Sequence, residues 1–272
     1  MSKIEEAMDL VRSAPVQTAL RQRARTRSVA DTTPSRLGAE LAHMAQPREW
    51  TAAERAAAGI LDFHAPAAAG TDAFRQLRVA VAERVERRNP LIGVTGVVRG
   101  AGASFISRNL AAAFALDRGR SALLIDCDRA DTSNSKLVLA ERKGHAAKGL
   151  CDYLFDESLD EAAIIQASGW PRLRVIPTGG MAPDSGEIFT APRLQTLFEA
   201  LQRRYADRTV ILDMPPVGEV ADARILAQLC DGLLLIVPYA QVDADTVDAA
   251  IERIGPDRLI GTVFNQDPVG SW

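Results

Sequence analysis

The sequence predicts an α/β fold: a mostly parallel, doubly wound sheet preceded by a helical, flexible N-terminal appendage. Three observations carry this. From residue 71 onward, short apolar runs of strand length alternate with amphipathic helical stretches, the pattern of buried parallel strands joined by crossover helices. The first run opens into a glycine-containing turn that leads directly into a helix, the shape of a phosphate-binding loop. Two later runs end in aspartate, at the strand ends where ligands bind in such sheets.

The chain has 272 residues, room for one α/β domain and an appendage at roughly 100–200 residues per domain. Hydrophobic residues make up 47% and the formal charge is −3. That balance suits a globular protein and supplies no global field for nucleic acid, so no nucleic-acid partner is expected. The basic residues are mostly arginine; lysine occurs only at Lys3, Lys136, Lys143 and Lys148. Cys127, Cys151 and Cys230 have no metal-ligand spacing and read as small buried hydrophobes in a reducing compartment. The charged start predicts no secretory leader. No apolar run approaches the ~20 residues that span a bilayer. A soluble cytoplasmic protein is expected, reaching a membrane through a partner or a surface contact.

Two regions follow from the pattern, an appendage over 1–70 and the α/β domain over 71–272. In the first, Ile4, Met8 and Val11 recur at helical spacing behind Glu5 and Glu6, predicting a short amphipathic helix. Arg21, Arg23, Arg25 and Arg27 then precede a Thr/Pro/Ser stretch, a basic linker that is either a solvated tail or a contact for anionic lipid or an acidic partner. A second helix is expected over Thr51–Gly59, and the Pro/Ala/Gly run Ala65–Gly70 closes the appendage.

In the second region, helices are predicted over Asp72–Arg87, Ser104–Leu116, Ala191–Tyr205, Ala221–Leu229 and Asp243–Ile254. Strands are predicted over Leu91–Thr95, Ser121–Ile125, Leu173–Ile176, Thr209–Leu212, Leu233–Val237 and Leu259–Phe264. Right-handed crossovers put every C-terminal strand end along one edge of the sheet.

After the first strand the chain reads Gly96-Val-Val-Arg-Gly100-Ala-Gly102-Ala-Ser104-Phe. Successive backbone N–H groups in such a turn line a concavity, and the helix N-terminus adds positive potential. A working loop of this kind reads G-x-x-x-x-G-K-[S/T], with the lysine reaching the β/γ-phosphates and the hydroxyl holding magnesium. Here Val97 stands where the first glycine belongs, Gly102 is the second, Ala103 replaces the lysine, and Ser104 keeps the hydroxyl. The second strand ends Asp126-Cys-Asp128, and a later one ends Asp213-Met-Pro215-Pro216. A single aspartate after a strand usually caps a helix or makes a turn. Three beside a phosphate loop suit a hydrated magnesium ion.

These residues resemble the bacterial tyrosine kinases, members of the deviant P-loop class that also holds chromosome-partition and division-site ATPases. The resemblance covers about Thr71 to Asn265. The family loop P-G-E-G-K-S-T is similar to Arg99, Gly100, Ala101, Gly102, Ala103, Ser104 and Phe105. The family motif L-I-D-x-D-x-R is similar to the run holding Asp126 and Asp128, and V-I-I-D-T-P-P-V to the run around Asp213. Gly149-Leu150, Pro177-Thr-Gly-Gly180 and the segment from Asp222 match further family signposts. A family helix reading E-x-x-R-x-x-R looks like Asp72, Arg75 and Arg78, which implies self-association through charge pairs. The first eight residues look like the opening of the exosortase-associated autokinase branch.

What the resemblance implies is specific. Asp126 and Asp128 take the catalytic acidic positions. Residues 99–105 and Asn265, the family's adenine contact, would bind ATP or ADP. Ser104, Asp126 and Asp213 would hold Mg. The partner class would be the cytoplasmic part of a membrane polysaccharide co-polymerase. Two departures stand against full activity. Ala103 removes the lysine, leaving Arg99 and Arg108 as the nearest cations, and a guanidinium fork is not a point-charge ammonium. The family's C-terminal tyrosine cluster has no counterpart after Tyr239. The expected function is therefore a catalytically impaired pseudokinase of exopolysaccharide synthesis or export, with weakened nucleotide and Mg binding. The alternatives are an active tyrosine kinase or ATPase with an atypical loop, and a partition-type ATPase.

Overall fold

The structure, a computed structural model, describes residues 48–64, 69–87, 89–117, 119–138, 147–180, 188–190, 192–204 and 207–266. The chain divides into two compact units, Met1–Leu37 and Gly38–Trp272, and every described residue belongs to the second. The expected N-terminal helix, the basic linker and the C-terminal tail lie outside the described residues.

Seven strands form one sheet: β1 (Leu91–Gly96), β2 (Ser121–Asp126), β3 (Gln166–Ala167), β4 (Leu173–Ile176), β5 (Arg208–Asp213), β6 (Gly232–Pro238) and β7 (Leu259–Asn265). Their order is β3-β4-β2-β5-β1-β6-β7. All pairs are parallel except the short β3–β4 pair. The helices are α1 (Ala52–Ala57), α2 (Ala69–Arg84), α3 (Ala103–Ala115), α4 (Leu150–Phe155), α5 (Glu161–Ile164), α6 (Pro192–Arg204), α7 (Ala221–Leu229) and α8 (Ala244–Ile254). No helix among the described residues is long and apolar enough to cross a membrane.

The sheet is covered on both faces, and the strand pleat shows it residue by residue. In β2, Leu123 and Ile125 enter one core while Ala122 and Leu124 enter the other. In β5, Val210 and Leu212 point one way and Ile211 the other. This is period-2 alternation with both sides apolar, as a doubly wound parallel sheet requires. One core takes the apolar faces of α4, α6, α7 and α8; the second takes α3 and α2. In α3 the run Ala111, Ala112, Ala113 and Ala115 is fully buried, and its small side chains let the helix lie close to the strands.

The central strands fall where the sequence predicts them, because each is a continuous apolar run. The short pieces β3, α4 and α5 were not predicted; elements of this length hold too few residues to show a period. Helix α2 begins and ends about three residues earlier than its expected span.

Residues 48–64, read from the sequence as part of the appendage, are packed on the second core. Trp50, Ile60 and Phe63 are buried there. The Trp50 N–H donates to the Gly169 carbonyl at 2.9 Å, and a Cβ on Gly169 would strike the Trp50 indole. Trp170 is 2% exposed. Phe63 meets it edge-on at 5.8 Å, His64 stacks on it at 5.7 Å, and the Arg55 guanidinium lies 5.9 Å from its centroid. Its indole N–H donates to the Ala112 carbonyl at 3.2 Å. Arg172 donates to the Ala115 and Leu116 carbonyls, placing a cation at the negative end of α3.

Trp170→Ala is expected to cost ~3–5 kcal/mol, the range for removing a large aromatic from a closed core, read as a lower midpoint in urea unfolding followed by far-UV circular dichroism.

Candidate nucleotide site

Strand order builds the site. Strand β5 lies between β1 and β2, so three strand ends meet at one point of the sheet edge. Asp213 is the register partner of Asp126 on β2 and of Val94 on β1. Parallel neighbours run ~4.8 Å apart, which sets the two carboxyl groups side by side. Both are fully buried. Burial pushes the Asp126 carboxyl up to about 7, against hydrogen bonds from Ser135 that favour its charged form. Burial, and then the charge of Asp126, holds Asp213 well above the ordinary carboxylate range, with the Ser104 and Ser107 hydroxyls pulling the other way.

Each carboxyl is held by one oxygen. The Asn134 amide donates to Asp213 Oδ2 at 2.7 Å, and the Ser135 hydroxyl donates to Asp126 Oδ2 at 2.8 Å. The other oxygens, Asp126 Oδ1 and Asp213 Oδ1, are buried and make no hydrogen bond of good geometry. Buried polar atoms are seldom left this way.

The loop between β1 and α3 lines a pocket of about 350 Å³ with Arg108, Asp128 and Asp131 across from it. Gly100 and Gly102 adopt φ of 79° and 95°, the left-handed region that glycine enters without strain. The loop is braced from outside. The Arg99 N–H donates to Glu219 Oε1 at 2.7 Å, and the side chains of Asn265 and Gln266 donate to the Ala101 and Gly100 carbonyls at 2.9 and 2.8 Å. A Cβ at Gly102 would strike the Asn265 amide, so this position takes glycine for space as well as for φ.

The structure brings together part of the set expected at the site. Residues 99–105 and Asp128 line the pocket, whereas Asp126 and Asp213 are fully buried and outside its lining, with the Ser104 hydroxyl in the first turn of α3 close to Asp213. No lysine lines the pocket among the described residues. Arg99 lines the pocket, its guanidinium 4.0 Å from Asp128 and 3.8 Å from Glu219. Arg108 is spent on structure, donating to the Ser104 and Ala58 carbonyls and the Ser133 hydroxyl. Asn265, expected at adenine, here braces the loop. Phe105 puts a ring where the family loop has threonine, and that ring packs edge-on against Phe74 at 5.9 Å.

Asp72, Arg75 and Arg78 lie on α2, away from the carboxyl pair. Arg75 pairs with Asp72 at 2.6 Å and donates to the Phe63 carbonyl at 2.8 Å, while Arg78 reaches the Ala113 carbonyl at 3.4 Å. Asn134, Ser135, Glu219 and Gln266 are site residues that the sequence reading missed. The polar run from Asp131 to Ser135, directly behind a strand-end acid, was the available signal for two of them.

The donor set fits Mg and a nucleotide phosphate. Two buried, unpaired carboxylate oxygens beside a serine hydroxyl suit a hard cation with oxygen ligands. The described residues hold no cluster of three His, Cys, Asp or Glu able to cage a metal alone, so the cation would draw further ligands from phosphate and water. Backbone N–H groups at the start of α3 suit the phosphate.

The chain is similar to known proteins over the same region. It is 31% identical over 182 residues to the tyrosine-protein kinase CpsD of Streptococcus agalactiae, covering 66% of this chain and 75% of that one. The kinase domain of the Escherichia coli tyrosine kinase ETK superposes with a TM-score of 0.66 at 25% identity, over 82% of this chain and 84% of that one. The chimerical protein CapA2B2 gives a TM-score of 0.62 at 27% identity, over 72% and 84%. No family model matches.

The raised carboxyls give a signed pH dependence in metal-free buffer. A carboxyl that binds its proton more tightly when folded stabilises the fold fully below the ordinary carboxyl range, near pH 4. That contribution is withdrawn as pH rises through about 7. Asp126→Asn is expected to unfold at higher urea than wild type at pH 8, with the gap narrowing toward pH 5.

Proposed function

The chain belongs to the bacterial tyrosine-kinase family, and from that premise we propose that it is a nucleotide-binding member with impaired phosphotransfer, acting in exopolysaccharide synthesis or export. One observation carries the reading: Ala103 stands at the lysine position while the buried pair Asp126 and Asp213 remains in register beside it. Two buried carboxyls are costly to ionise without a positive partner, and a hard divalent cation is the partner their oxygens fit.

In this reading the backbone N–H groups of residues 100–105 hold the phosphates. Ser104, Asp213 and Asp126 hold Mg, which supplies charge neutralisation at the β- and γ-phosphates when bound. Asp128 faces the pocket from the end of β2. Phosphoryl transfer relies almost wholly on positioning and electrostatics. Losing one preorganised charge that acts on the departing phosphoryl costs on the order of 3–4 kcal/mol, or 10²–10³ in rate. Arg108 is held by backbone carbonyls and Ser133, and the guanidinium of Arg99, which lines the pocket, does not reproduce the point charge of a lysine.

Binding and turnover thus separate. Mg-ADP is expected to bind measurably by calorimetry. Steady-state ATP hydrolysis is expected to stay at the buffer level in the wild type, and Ala103→Lys to raise it by ~10²–10³. Wild-type turnover that Asp126→Asn abolishes would instead establish an active enzyme.

The proposed partner is the cytoplasmic part of a membrane polysaccharide co-polymerase, which would hold the protein at the inner membrane. Asp72, Arg75 and Arg78 are the surface proposed for self-association. A pull-down with the co-polymerase's cytoplasmic segments is expected to capture the wild type; no capture of either wild type or Arg75→Glu would overturn the partner.

A further inference from the structure

One turn is wired into the site at three consecutive residues. It is the 3₁₀ turn Ser133–Leu137 that follows β2. The Ser133 hydroxyl accepts from Arg108 of α3 at 2.7 Å. Asn134 donates to Asp213 at the end of β5. Ser135 donates to Asp126 at the end of β2. Three neighbouring side chains thus reach the three elements that converge on the pocket. A turn whose only task was to leave the sheet would need none of these contacts.

The burial pattern sharpens this. Asn134 is completely buried, and its amide donates to Ser107 as well, at 3.1 Å. The Ser135 hydroxyl also accepts the Thr178 N–H at 3.1 Å, which fixes its direction. Each carboxyl therefore has one oxygen held by a donor and one that is buried without a hydrogen bond of good geometry, with the Ser104 and Ser107 hydroxyls close to Asp213. Locking one oxygen sets the plane of the carboxylate and so the direction of the other. Donors of this kind, behind a metal ligand, orient it and are worth 10–100-fold in metal affinity.

We infer that Asn134 and Ser135 are positioning residues for a divalent cation: each holds one oxygen of Asp213 or Asp126 so that the second oxygen of each faces the ion. This rests on the nucleotide-site reading above, and it adds to it the residues that aim the carboxyls. Without the turn, each carboxyl of the acidic pair would lose its one hydrogen bond of good geometry. The turn makes it a fixed two-oxygen clamp.

The test uses Mn²⁺ as the probe, titrated into the full chain and followed by electron paramagnetic resonance, for wild type, Asn134→Ala, Ser135→Ala and Ser135→Thr. ADP affinity is measured in EDTA and in Mg²⁺ on the same samples, and folding of each metal-free variant by circular dichroism. Asn134→Ala and Ser135→Ala are expected to weaken Mn²⁺ ~10–100-fold while leaving ADP affinity in EDTA unchanged, and Ser135→Thr to restore it. A structural role alone would lower the melting temperature without this split. Wild-type Mn²⁺ affinity kept in both alanine variants overturns the inference and leaves the nucleotide site standing. Absence of Mn²⁺ binding in the wild type overturns both.

Discussion

Two carboxyl groups sharing a register position on neighbouring parallel strands are the constraint around which this sheet edge is organised. Asp126 and Asp213 sit side by side and fully buried, an arrangement that repels itself and resists desolvation. The surroundings answer that cost in several ways. Asn134 and Ser135 supply hydrogen bonds, the hydroxyls of Ser104 and Ser107 lie close, and the carboxyls themselves hold protons more tightly than free ones. A divalent cation would answer it more completely than any of these.

The same edge also holds the loop between β1 and α3 by its backbone. Glu219, Asn265 and Gln266 come from the loop after β5 and the end of β7, and each takes one backbone group of the turn between β1 and α3. Gln266 is itself at φ 66° and accepts from Gln241 at 2.6 Å, so the brace is braced in turn. A loop held at these three backbone groups leaves less ordering for a phosphate to impose on binding.

The central fold was legible in the sequence because its strands are uninterrupted apolar runs and its helices are long enough to show a period. The acidic strand ends and the glycine turn were legible because they are local in sequence. Their meeting was legible only as an expectation from right-handed connections; the register that pairs Asp126 with Asp213 is a property of the assembled sheet. Asn134 was hidden for a different reason. An asparagine in a polar stretch reads as a turn residue, and only the fold shows that it is buried against a carboxylate. The packing of Trp50 on Gly169 and of Phe63 on Trp170 was equally hidden, because these contacts join residues more than a hundred positions apart, and the helix expected over Thr51–Gly59 was read as part of a separate appendage.

That packing has a mechanical side. Helix α3 forms the phosphate loop with its first turn and grips the incoming chain with its second: Arg108 holds the Ala58 carbonyl, and Asn109 holds both the Leu61 N–H and the Gly59 carbonyl. Arg108 also binds the Ser104 carbonyl with the same guanidinium. A tug on the polypeptide upstream of Trp50 would therefore arrive, through a single side chain, at the residue that carries the loop's hydroxyl. The segment is a tether whose anchor point is the site itself.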